Sequence, residues 1–106
     1  MQLRIGSLDI PMDALRTLCQ HWQIDELAVF GSALRQDFQP ESDIDVLVTF
    51  RDGSRWTLLD FVQMQDDFSA LFGRQVDLVD KRALIRRQER PANQHILSTA
   101  QVIYAA

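Results

Sequence analysis

Apolar residues recur along this chain with two different periods. Between Pro11 and Trp22 they fall at Leu15, Leu18, Cys19 and Trp22, a spacing of i, i+3, i+4 and i+7 that puts one stripe on one side of a helix. Pro11 and Asp13 mark the start of that helix, because proline is tolerated in a first turn. The period then changes. Leu27-Ala28-Val29-Phe30 is a short unbroken apolar run, as is Val46-Leu47-Val48, and both predict buried strands, over 27–30 and 43–50. Gln39-Pro40-Glu41 supplies the loop between them, and Arg51-Asp52-Gly53 ends the second. A second helix is expected from about Thr57 to Phe72, with Leu58, Phe61, Val62, Phe68 and Phe72 near one face and Gly73 as its C-terminal cap. Gln75-Val76-Asp77-Leu78-Val79 reads as a third strand and Lys81 to Arg90 as a basic helix. Pro91 opens a last helix to about Thr99, before a closing strand at Val102-Ile103-Tyr104. The alternation predicts an α/β architecture without repeats or linkers, a single domain over residues 1–106.

Composition narrows the functional classes. A net charge of −4 argues against wrapping nucleic acid with the whole surface, since phosphate binding rests on many Lys and Arg contacts. The one cysteine, Cys19, has no intrachain partner, which fits a reducing cytoplasm. No segment reaches membrane-spanning length, and Met1-Gln2-Leu3-Arg4-Ile5 lacks the apolar core of a signal peptide. His21 and His95 share no metal-ligand spacing, so zinc is not expected.

The chemistry lies around the two apolar runs. Gly31-Ser32 follows the first, where a buried strand turns into a short helical stretch, Ala33-Leu34-Arg35. Backbone N–H groups at such a turn lack partners of their own. Glycine lets the backbone approach a phosphate, and the serine hydroxyl adds a donor. Asp43-Ile44-Asp45 opens the second strand, and residues i and i+2 point to the same face, so two carboxylates stand side by side. A divalent cation between them removes their repulsion, and Mg²⁺ commonly completes such a shell with water and substrate phosphate. A nucleoside triphosphate is therefore expected. Attack of a hydroxyl on its α-phosphate calls for a third anion that accepts a proton and helps hold a second ion. Asp77, a charge interrupting an apolar strand, is the candidate. Asp80 has the opposite strand parity and reads as a strand-end residue or helix cap.

These segments resemble a known signature. Phe30-Gly31-Ser32-Ala33-Leu34-Arg35-Gln36-Asp37, followed by Ser42-Asp43-Ile44-Asp45-Val46-Leu47-Val48, is similar to the motif of the DNA polymerase β-like nucleotidyltransferases. Within that superfamily the likeness is greatest to the minimal nucleotidyltransferases, the antitoxin halves of MNT–HEPN toxin–antitoxin pairs. Gln36 stands where that family usually has glycine. The resemblance implies a mixed β-sheet flanked by helices and places the third acid at Asp77. It further implies AMP transfer from ATP, with Mg²⁺ on Asp43, Asp45 and Asp77 and the departing phosphates held by Gly31 and Ser32. In that family the acceptor is a tyrosine hydroxyl of a HEPN ribonuclease toxin, which the modification silences. Two other functions stay open from the residues: an antitoxin that neutralises by contact alone, and a nucleotidyltransferase acting on a small molecule.

Cationic residues form the remaining feature. Lys81, Arg82, Arg86, Arg87 and Arg90 hold five of the eleven Lys and Arg residues. They suit a solvated helix face, a triphosphate contact, or docking of an acidic partner surface. Arg35 either screens phosphate or pairs with Asp37.

Overall fold

A computed structural model describes residues 2–5, 8–31 and 43–106. The elements run β1 (Gln2–Ile5), β2 (Leu8–Pro11), α1 (Met12–His21), β3 (Ile24–Phe30), β4 (Ile44–Phe50), α2 (Leu58–Phe72), β5 (Val76–Asp80), α3 (Lys81–Ile85), α4 (Pro91–Thr99) and β6 (Gln101–Ala105). Strands β1 and β2 form an antiparallel hairpin, while the other four make a sheet in the order β5-β4-β3-β6. Within it β4 and β5 are parallel and the other neighbours antiparallel, so the sheet is mixed. Helix α2 is the crossover that makes the parallel pair possible.

Strand parity divides the sheet into two faces. Leu27, Val29, Ile44, Val46, Val48, Val76 and Leu78 share one face and pack with Leu15, Cys19 and Trp22 near α1 and with Met64, Phe68 and Phe72 of α2. On the opposite face Ala28, Phe30 and Leu47 meet Leu84 of α3, with Ile96, Leu97 and Ala100 packed around them. Burying Cys19 on the first face also pushes its thiol up to about 12, because the thiolate loses hydration.

Local signals account for most boundaries. Thr57 and Asp60 form a reciprocal capping box at the start of α2: the Asp60 N–H donates to Thr57 Oγ1 at 3.1 Å, and the Thr57 N–H donates to Asp60 Oδ2 at 2.9 Å. Gly73 ends the helix in the left-handed region at φ 70°. Asp80 caps α3 by accepting from the Arg82 N–H at 3.0 Å, as its parity and position anticipate. No helix among the described residues is long and apolar enough to cross a membrane.

Three expectations need correction, and one element had no expectation. The apolar run at 27–30 is only the end of a seven-residue strand, because Asp25 and Glu26 interrupt its hydrophobic signal where the β3–β4 register shifts between Ile24 and Glu26. The basic helix expected over 81–90 stops as an α-helix at Ile85 and continues as turns to Arg90. Leu58 and Val62 lie on the solvent side of α2, 79% and 48% exposed, and Met64 takes the core position instead. The β1–β2 hairpin was not anticipated, since its strands are four residues each and carry little pattern.

Phe68 has no solvent exposure and packs edge-on against Phe72. Phe68→Ala is expected to destabilise the protein by about 3–5 kcal/mol through lost transfer energy and a residual cavity. Urea unfolding followed by Trp22 and Trp56 fluorescence measures it.

Candidate active site

The register of three strands brings the acids together. Phe30, at the end of β3, pairs with Asp45 of β4, and Asp45 in turn pairs with Asp77 of the parallel strand β5. Neighbours in register project to the same face, so Asp45 and Asp77 stand side by side on the face covered by α3 and α4. Asp43 comes one residue before β4, exposed, at the same end of the sheet. Asp45 and Asp77 are both partly buried.

The electrostatics follow from this placement. The Asp45 carboxyl is raised above the ordinary carboxylate range, first by loss of hydration and then by the charges of Asp77 and Asp43. Among the described residues neither Asp45 nor Asp77 has a hydrogen-bond or ion-pair partner. The first two cations after β5 are engaged elsewhere. Lys81 Nζ pairs with Glu26 at 2.9 Å, and Arg82 pairs with Asp52. Two adjacent, half-buried carboxylates without a cation are costly unless something positive binds between them. Their oxygen donors suit a hard divalent ion such as Mg²⁺, which accepts one or two protein carboxylates and takes its other ligands from water and phosphate. No three His, Cys, Asp or Glu side chains among the described residues are gathered into a preformed metal cluster. A site completed by a substrate's phosphates does not require one.

Gly31 follows β3 at φ +73°, a backbone region that strains other residues. Its role at the acids is spatial. A Cβ built there would lie 2.5 Å from Asp45 Oδ2, so the missing side chain is the space in which the Asp45 carboxylate sits. Ser32, Arg35 and Asp37, with the turn expected at Ala33-Leu34-Arg35, lie outside the described residues.

Sequence reasoning overlooked Leu84. Only 7% exposed, it presses α3 onto Ala28, Phe30 and Leu47 and so forms an apolar wall on the acids' face. The apolar pair Leu84-Ile85 inside an otherwise basic run was the available signal.

Comparison with known proteins gives this geometry its class. Residues 12–101 match the nucleotidyltransferase domain family, and the chain belongs to it. The protein is accordingly a transferase enzyme of that family. It is 36% identical to the protein adenylyltransferase MntA of Thermococcus cleftensis over 69 residues, which span 65% of this chain and 68% of the relative. A solved structure assigned as a minimal nucleotidyltransferase superposes with a TM-score of 0.62 at 32% identity, covering 87% of this chain and 86% of the other. A crystal structure of a toxin–antitoxin with AMP-PNP shares the fold with a TM-score of 0.65 at 17% identity, covering 89% and 73%.

Two predictions test the local physics. A carboxyl raised in the folded state binds protons more readily folded than unfolded, so its destabilising effect is absent below pH ~4 and present once pH exceeds the raised folded value. Asp45→Asn is therefore expected to raise the Tm of the metal-free protein at pH 7 and to leave it unchanged near pH 3.5, measured by calorimetry. Gly31→Ala is expected to cost about 1–2 kcal/mol from its left-handed backbone and to displace the Asp45 carboxylate, read from denaturant unfolding and a crystal structure.

Proposed function

We propose that this protein transfers AMP from ATP to a tyrosine hydroxyl of a cognate HEPN ribonuclease toxin, and so serves as that toxin's antitoxin. The observation that carries this reading is the register pair Asp45–Asp77, two half-buried carboxylates without a cationic partner among the described residues, beside Gly31. The likeness to a relative named protein adenylyltransferase supports the reaction class. A toxin–antitoxin structure of the same fold, crystallised with AMP-PNP, supports the nucleotide and the kind of partner.

In this reading Asp43, Asp45 and Asp77 hold Mg²⁺, which when bound neutralises triphosphate charge and favours the deprotonated acceptor. Asp77 accepts the proton of the tyrosine hydroxyl. The phenolic oxygen attacks the α-phosphorus, a new P–O bond forms, and the bond to the β-phosphate breaks with pyrophosphate leaving. The Gly31 backbone and the Ser32 hydroxyl hold the departing phosphates. Leu84 and Phe30 bound the acids' face with apolar surface, which strengthens the electrostatic interactions made there. Such a reaction needs positioning and charge neutralisation more than covalent help from the protein.

The test uses ATP labelled at the α-phosphate, Mg²⁺ and the product of the adjacent reading frame, which this reading expects to be a HEPN protein. Label is expected on a tyrosine of the partner, with Asp45→Ala and Asp77→Ala each lowering the rate by about 10²-fold or more. Protection from the toxin that survives the Asp43→Ala, Asp45→Ala double substitution would overturn the enzymatic reading in favour of neutralisation by contact.

A further inference from the structure

The segment after β5 departs from the rest of the chain in charge. In a protein of net charge −4, residues 81–106 contain five Lys and Arg residues against a single acid, Glu89. Two of those cations are structural. Lys81 pairs with Glu26 of β3, and Arg82 pairs with Asp52 after β4, fastening the start of α3 to the end of the sheet away from the acids. Arg86, Arg87 and Arg90 are different. All three are exposed, and no ion pair involves them among the described residues.

Their backbone is nonetheless well held. The Arg87 N–H donates to the Leu84 carbonyl at 3.0 Å, and the Arg90 N–H donates to the Arg87 carbonyl at 3.2 Å. Asn93 Nδ2 donates to the same Arg87 carbonyl at 3.0 Å. Leu84 anchors the whole turn on the face of the sheet that carries Asp45 and Asp77. Beside the arginines Ile85 is 43% exposed, an apolar spot within the basic strip.

We infer that Ile85, Arg86, Arg87 and Arg90 form the docking surface for an acidic segment of the protein that the enzyme modifies. The inference rests on the protein-acceptor reading above and names the chemistry of the partner's contact. Three observations favour a protein over a nucleic acid. The strip contains an exposed aliphatic side chain, it includes Glu89, and residues 81–100 hold no Phe, Tyr or Trp on which a base would stack. Arginine forks beside an apolar contact are a common composition at protein interfaces, and they bind carboxylates in bidentate geometry. The preformed turn lowers the entropy lost on binding. The remainder of the acidic surface, including Asp45 and Asp77, discourages other orientations of an acidic partner.

The experiment compares wild type with Arg86→Glu/Arg87→Glu/Arg90→Glu in the full chain. Association with the neighbouring HEPN protein is measured by calorimetry without ATP, at two salt concentrations, so that it does not depend on whether transfer occurs. Affinity is expected to fall at least tenfold in the triple variant and to lose most of its salt dependence, with unchanged circular dichroism and Tm. In transfer assays the KM for the partner is expected to rise while kcat at saturation and the KM for ATP stay within about twofold. Equal affinity of the two proteins for the partner overturns the inference. A raised KM for ATP with unchanged partner binding overturns it in favour of a triphosphate contact, and tight arginine-dependent binding of a labelled single-stranded RNA with unchanged partner binding overturns it in favour of nucleic acid. Failure of AMP transfer with arginine-dependent association intact removes the proposed reaction and leaves the docking surface standing.

Discussion

Repulsion between two neighbouring carboxylates is the constraint around which this structure is organised. Asp45 and Asp77 are locked opposite each other because β4 and β5 are parallel and in register from Ile44↔Val76 through Val48↔Asp80. Hydrophobic burial on the other face holds that register. Slipping β5 by one residue would turn Val76 and Leu78 out of the core and carry Asp77 into it. The core therefore maintains an arrangement that is unfavourable in the absence of a cation, and the Asp45 carboxyl, raised first by burial and then by the charges of Asp77 and Asp43, carries that cost. A site that relieves the repulsion only when a cation and its phosphate ligands arrive gains binding energy from the same source.

Glycine at position 31 belongs to this arrangement as much as the acids do. From sequence its value lies in letting backbone approach a phosphate, and the structure adds a second demand from the opposite direction. The place of its Cβ is where Asp45 Oδ2 sits, and its φ of +73° turns the chain immediately after Phe30. One residue thus turns the chain at the strand end and makes room for a carboxylate. Any larger residue would meet both a backbone penalty and a displaced acid.

Much of this was legible because the relevant signals are local. Asp43-Ile44-Asp45 and Gly31 stand at the edges of apolar runs, and parity alone separates Asp77 from Asp80, which the structure uses as the cap of α3. What was not legible depends on tertiary context. Leu58 and Val62 share a helical stripe with Phe61 on paper, yet the burial of α2 centres on Met64, Phe68 and Phe72, and no periodicity decides where a stripe's edge meets solvent. Asp25 and Glu26 hide the first half of β3, because a strand flanked on both sides by hydrogen-bonded neighbours tolerates polar residues whose ends reach water or a partner such as Lys81. The β1–β2 hairpin has too few residues for its alternation to stand out.

The crossover after β5 shows how one short segment meets opposed demands. It must cover the acids' face with apolar surface, which Leu84, Ile96 and Leu97 do, and it must not neutralise the acids itself. Its first two cations are directed to Glu26 and Asp52, so they secure α3 without approaching Asp45 or Asp77. An arginine placed between those carboxylates would stabilise the empty fold and compete with the cation that a phosphoryl-transfer site requires. Keeping fixed positive charge in ion pairs or in solvent leaves Asp45 and Asp77 unneutralised on β4 and β5, which is the condition that the proposed binding of a metal and a triphosphate would require.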